Sequence, residues 1–179
     1  MTEFTETFTE PRKKDRTPKF AVASILLIPL AAILFQVYVP RFVQYLAYLE
    51  LPLLVTVYFA LMRRSPVQGV LFGMGIGLAQ DSLSPAPPHY LGMFGIVDTL
   101  VGYFAASVSQ RFDVQSSIVR GILGFFFYFF HQFFYWVLSR AFLGETVNFE
   151  PQQTLVLGLL NAAVAVPLFH ILDKLKITG

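Results

Sequence analysis

The chain has 179 residues, of which 55% are hydrophobic and only 13% are charged. Soluble domains carry about 25% charged residues, so too few charges remain here to cover a water-facing surface. The chain has no cysteine, which excludes disulfides and Cys-ligated zinc sites. Its net charge of +2 is too small to indicate nucleic-acid binding. The composition predicts an integral membrane protein, and the absence of a phosphate-binding lysine loop or a dinucleotide-binding glycine pattern predicts no cofactor.

The first 19 residues are predicted to be a flexible cytoplasmic tail, ahead of a membrane domain at residues 20–179. Nine of the 24 charged residues fall in this tail, and its basic cluster directly precedes the first apolar stretch. Such clusters orient membrane helices and touch anionic lipid headgroups. Docking of a cytosolic partner on the tail is the alternative. The cluster comprises Arg12, Lys13, Lys14, Arg16 and Lys19.

Six apolar stretches follow, each close to the length of about 20 residues that a bilayer crossing requires. Continuous apolar runs predict an all-α fold of six transmembrane helices and not a β-barrel, whose strands alternate. Residues 41–48 either begin the second span or form a turn at the membrane interface. The stretches are residues 20–39, 42–62, 66–83, 92–110, 117–138 and 153–172.

The basic residues indicate the orientation of these spans. If the N-terminus is cytoplasmic, eleven of the thirteen Lys and Arg residues lie on the inner side, and only Arg41 and Arg140 lie outside. Because Lys and Arg are retained in cytoplasmic loops during insertion, this asymmetry favours six spans with both termini in the cytoplasm.

Small residues mark one face of the third and fourth spans. Gly69, Gly73, Gly77 and Asp81 recur every four residues, which keeps them on one side of a helix. Small residues at this spacing let helix backbones approach closely in lipid. The fourth span repeats the pattern. The predicted face for helix packing or partner contact comprises Gly69, Gly73, Gly77, Gly92, Gly95 and Gly102.

Polar residues gather in the half of the membrane that is predicted to face outward. An ionised carboxylate at mid-membrane costs at least ~2.5–3.5 kcal/mol, so such residues are candidates for function. Glu50, eight residues into the second span, is expected about 12 Å deep at 1.5 Å per residue. The aspartates either cap helices or join a polar cleft, whose occupant is a small molecule, a partner helix or the protein itself. The predicted outer polar cluster comprises Asp81, Asp98, Asn161, Glu50 and His131.

The sequence does not favour intramembrane catalysis. No serine stands in a Gly-x-Ser-Gly setting, and Asp81 follows Gly77 by four residues where an aspartyl protease places Asp directly after glycine. The three histidines are about forty residues apart, unlike the paired ligands of a zinc site. An acid–base pair of membrane aspartates remains an alternative to the expected non-enzymatic protein.

Several motifs together resemble one bacterial family. Residues 57–64 end in two arginines, residues 69–73 lead to Asp81-Ser-Leu-Ser, and residues 89–92 read His-Tyr-Leu-Gly. The last span carries Asn161 and Pro167 in an Asn-Ala…Pro-Leu-Phe pattern. Over about residues 20–176 the chain resembles the MreD family of rod shape-determining proteins.

The resemblance implies a non-enzymatic scaffold in the bacterial cytoplasmic membrane that binds the single-span protein MreC and helps organise peptidoglycan synthesis and rod cell shape. It also implies work alongside MreB and alongside RodA with its partner transpeptidase, and contact with membrane lipids. The implied fold is similar to that of the substrate-binding subunits of energy-coupling-factor vitamin transporters.

Such a vitamin-binding subunit is the alternative function. It would require small residues at four-residue spacing in the first span, where an energising partner docks. The alanines of this span do not form that row, which argues against the alternative. They are Ala21, Ala23, Ala31 and Ala32.

Overall fold

The structure is a computed structural model that describes residues 19–84, 91–144 and 148–177. The predicted tail, except Lys19, and the proline-rich connection at 85–90 with His89 lie outside the described residues. A two-residue strand pair joins Lys19–Phe20 to Lys176–Ile177 in antiparallel register. The helices of the described part are α1 (Val22–Tyr38), α2 (Leu51–Arg63), α3 (Pro66–Leu83), α4 (Met93–Val108), α5 (Ser117–Leu143) and α6 (Pro151–Asp173).

The all-helical prediction is confirmed, with this short strand pair as the exception in the described part. Five of the predicted stretches coincide with a helix to within five residues at each end. Within the described residues, four stretches are long and apolar enough to cross a membrane, as expected of a multi-pass membrane protein. They are Val22–Arg41, Gln44–Arg63, Ser117–Leu143 and Pro151–Asp173.

The second helix begins later than the sequence predicts. Gln44–Tyr48 forms a 3-10 turn, and α2 begins only at Leu51, with Pro52 in its first turn. Proline fits there because its missing N–H has no helical partner in a first turn. The turn alternative for residues 41–48 is therefore the one that the structure adopts. Glu50 is the N-cap residue of α2, so it does not lie inside a helix as the sequence predicted.

Helix α2 is the central helix of the fold. Every residue from Pro52 to Met62 is buried, and α1, α3, α4, α5 and α6 all contact it. A helix enclosed in this way must be apolar all round, as α2 is. By contrast, only 17% of the apolar stretch that contains α1 is buried inside the protein, against 61% of the stretch that contains α2. Helix α1 therefore presents most of its surface outward.

An ion-pair network holds together the end of the molecule that carries the strand pair. Arg120 in the first turn of α5 is 1% exposed, and its Nη1 lies 2.7 Å from Asp173 Oδ2 at the end of α6. The Tyr58 hydroxyl of α2 donates to Asp173 Oδ1 at 2.9 Å, and Lys176 pairs with the same oxygen at 2.6 Å. The Arg120 Nε also donates to the carbonyl of Val114, in the turn before α5. The sequence indicated only that Arg120 was an inner-side charge.

Helices α3 and α4 pack backbone against backbone. A Cβ atom at Gly69 would overlap the carbonyl of Gly102, and one at Gly73 would overlap the carbonyl of Asp98. Gly77 has the same relation to the carbonyl of Phe94. The glycine face is thus filled by the chain's own hairpin and is not open to a partner helix.

The two remaining glycines of the predicted face, Gly92 and Gly95, have different roles. Gly95 contacts the Leu78 side chain across the hairpin, so it shares the packing role. Gly92 does not pack there; it begins α4 with a φ of +102°, a conformation that side-chain-bearing residues rarely adopt.

The hairpin predicts opposite effects for two nearby glycines. Gly73→Ala should destabilise the protein by about 1–3 kcal/mol, because overpacking forces α3 and α4 apart. Gly75→Ala is the matched control, since its Cβ would meet nothing within 4 Å. It should be neutral or stabilising by up to about 1 kcal/mol, because alanine favours the helix. Thermal unfolding in detergent measures both, and equal midpoints for the two variants would contradict the proposed contact.

Candidate functional site

The predicted polar residues lie near one another, close to the start of α2 and about midway along α5 and α6. Asn161 of α6 is fully buried and bonds the main chain on both sides of the break before α2. Its Oδ1 accepts the Glu50 N–H at 2.9 Å, and its Nδ2 donates to the Tyr48 carbonyl at 2.9 Å. Unwound backbone in apolar surroundings must find such partners. Asn161 therefore supplies hydrogen-bond partners to the main chain just before α2.

Asp81 binds the main-chain groups at the start of α4. Its carboxylate accepts N–H groups from Gly92 at 2.9 Å, Phe94 at 3.2 Å and Gly95 at 3.1 Å. The first N–H groups of a helix lack helical partners and carry partial positive charge, so a carboxylate stabilises them. The sequence allowed Asp81 either to cap a helix or to join a polar cleft, and in the structure it caps α4. Because Asp81 belongs to the last turn of α3, these hydrogen bonds join the end of α3 to the start of α4.

Asp98 and His131 form a buried pair between α4 and α5. His131 Nε2 lies 3.3 Å from Asp98 Oδ1, with the side chains 2% and 0% exposed. The Phe94 ring stacks on the imidazole with 5.7 Å between centroids and 8° between planes. Within the described residues neither carboxylate oxygen of Asp98 has a hydrogen bond of good geometry. Burial and the stacked Phe94 ring therefore shield the pair from solvent.

Glu50 connects this pair to the Asn161 contact. Its carboxyl group lies within electrostatic reach of both His131 and Asp98, and Asp98 is within reach of Asp81. All five residues of the predicted polar cluster therefore lie in one region. They do not share one function, because Asp81 and Asn161 bind main-chain groups.

A cavity of about 480 Å³ opens beside Glu50, between α5, α6 and the turn before α2. Two carboxylates, Glu50 and Glu150, lie on its wall, together with the Tyr128 ring, Gln132 and Ser139. Of these wall residues, only Glu50 belongs to the polar cluster that the sequence predicts.

A signal for it was nevertheless present in α5. Tyr128, Gln132, Tyr135 and Ser139 follow at intervals of four, three and four residues, which places them on one face of an otherwise Phe-rich helix. A polar stripe of this kind indicates a surface that contacts neither lipid nor an apolar core.

The Asn161 contact predicts a stability effect. Asn161→Leu keeps most of the volume but leaves the Glu50 N–H and the Tyr48 carbonyl unpaired, at about 1–3 kcal/mol for each buried group. The free energy of unfolding should fall by about 2–6 kcal/mol. Denaturation of the purified protein in detergent measures the change.

Gln152→Leu is the control, because Gln152 is an exposed amide on the same helix. Equal stability of the Asn161 and Gln152 variants would mean that the contact contributes nothing to the fold.

The chain was compared with protein-family models, with curated proteins and with solved structures, and none of them matches it significantly. The resemblance drawn from the sequence motifs therefore stays a prediction.

Proposed function

We propose that the chain is a non-enzymatic scaffold of the bacterial cytoplasmic membrane, of the MreD type, which binds a single-span partner like MreC. One observation carries this proposal: the residues on which the resemblance rests bind the chain's own backbone. Asp81 caps α4, Asn161 closes the entry to α2, and the glycines join α3 to α4. A rigid body of this kind suits a protein that positions others in the membrane, here for peptidoglycan synthesis and rod cell shape.

The proposed topology has six crossings with both termini in the cytoplasm. The antiparallel pairing of Lys19–Phe20 with Lys176–Ile177 supports it, because an even number of crossings brings both ends to one side. The inner-side excess of Lys and Arg supports the same orientation. The cavity beside Glu50 then faces outward.

The proposed partner surface is the outward face of α1. The α3–α4 glycines already contact each other, so a partner helix must bind elsewhere. Leu27, Leu30 and Leu34 of α1 are 60%, 45% and 40% exposed, and they form one apolar stripe. By the same resemblance, MreB, RodA and its partner transpeptidase assemble around this pair.

Site-specific photo-crosslinking tests the scaffold. The full chain is co-expressed with a bacterial MreC protein, and a photoreactive phenylalanine replaces Leu27 or Leu30 on α1. Leu159 on α6, which is 64% exposed, is the matched control position. A crosslink to MreC is expected from the α1 positions and not from Leu159. Crosslinking from Leu159 alone would contradict the α1 surface, and failure of MreC to co-purify would contradict the scaffold itself.

The cavity favours a second candidate function, the vitamin-binding subunit of an energy-coupling-factor transporter. Its volume of about 480 Å³ lies within the range of small-molecule sites. Mass spectrometry of the protein purified under native conditions tests this candidate. A vitamin bound at one molecule per chain would support the transporter subunit, and its absence together with bound MreC would support the scaffold.

A further inference from the structure

The cavity between α5, α6 and the turn before α2 has the charge of a cation site. Glu50 and Glu150 line it, and none of its described lining residues is Lys, Arg or His. Low-dielectric walls focus the field of such carboxylates into a cleft, so the cavity attracts positive charge.

A second observation in the same cavity is independent of charge. Ser139 lines it and is 4% exposed, yet its hydroxyl has no hydrogen-bond partner among the residues that the structure describes. A buried hydroxyl without a partner costs free energy, because it has given up water and gained nothing. A polar group of a ligand in the cavity would supply the missing bond.

The remaining walls are aromatic. Tyr128 and Phe149 line the cavity, and Tyr128 is only 3% exposed. Trp136 also lines it, and the Arg140 guanidinium lies 5.9 Å from the centroid of the Trp136 ring. Aromatic faces attract organic cations through their quadrupole, and they do so more strongly away from water. Carboxylates combined with aromatic walls discriminate an organic ammonium ion from a hydrated metal ion, which prefers oxygen ligands alone.

We propose that this cavity binds an organic ammonium group, with the Glu50 carboxylate as its counter-charge and the Ser139 hydroxyl as a hydrogen-bond partner. The ammonium belongs either to a free small molecule or to the headgroup of a phospholipid. This binding goes beyond the scaffold function and does not depend on it, because the α1 surface lies elsewhere on the molecule. Loss of either activity therefore leaves the other measurable.

The single tryptophan of the chain makes the cavity directly observable. Trp136 is the only Trp and lines the cavity, so its fluorescence reports on an occupant. The full chain in detergent is titrated with choline, with ethanolamine, and with 3,3-dimethyl-1-butanol, the uncharged isostere of choline. A saturable change is expected with an ammonium compound, and the neutral isostere should bind at least about 10-fold more weakly. Equal affinity for choline and its isostere would overturn the proposal.

Variants locate the site. Glu50→Gln should weaken ammonium binding at least about 10-fold, while its main-chain bond to Asn161 remains. Ser139→Ala should weaken ethanolamine binding by a smaller factor, since the charge is unchanged. Asp113→Asn is the control, because this exposed carboxylate lies in the turn before α5, away from the cavity. Thermal unfolding confirms that each variant is folded. Unchanged binding in a folded Glu50→Gln protein would overturn the proposal.

The source of the ammonium is decided in nanodiscs. The protein is placed in bilayers of phosphatidylglycerol with or without phosphatidylethanolamine, and choline is titrated into each. Weaker apparent choline binding in the presence of phosphatidylethanolamine would support the lipid headgroup as occupant. Equal choline binding in both bilayers would support a free ammonium compound. Absence of any saturable choline response in both bilayers and in detergent would overturn the proposal.

Discussion

The structure depends on one constraint, that main-chain polar groups in apolar surroundings need hydrogen-bond partners wherever a helix is interrupted. Three interruptions are closed by side chains that are distant in sequence or lie across a turn. Asn161 bonds both sides of the break before α2, and Asp81 bonds the first N–H groups of α4. Arg120 bonds the Val114 carbonyl before α5 and pairs with Asp173. These contacts let short helices and turns exist where water is scarce.

Close packing follows from the same arrangement. The glycines of α3 and α4 bring two backbones into contact, which leaves α2 enclosed by its five neighbours. Water exclusion supplies little driving force between helices in lipid, so such contacts and the few buried polar bonds carry more of the stability. Asp81 and Asn161 contribute to these bonds by binding main-chain groups of the fold.

Two surfaces are proposed for recognition. One is the exposed face of α1, which is apolar and suits another membrane helix. The other is the cavity beside Glu50, which is lined by carboxylates, aromatic rings and the Ser139 hydroxyl, which lacks a partner among the described residues. The buried Asp98–His131 pair joins α4 of the hairpin to α5, the helix that lines this cavity.

The sequence by itself determined the helices and their packing face. Apolar runs of about 20 residues and the four-residue glycine spacing are local signals, and local periodicity is enough to place them. Only the tertiary structure decided that α2 begins at Leu51, that Asp81 is a cap, and that Arg120 pairs with Asp173. Each of these depends on which distant group supplies the missing partner. The cavity wall is also built from three elements: α5, α6 and the turn before α2. The spacing of polar residues in α5 is a local signal that the sequence shows, whereas the α6 residues on the same wall are identified only by the tertiary structure.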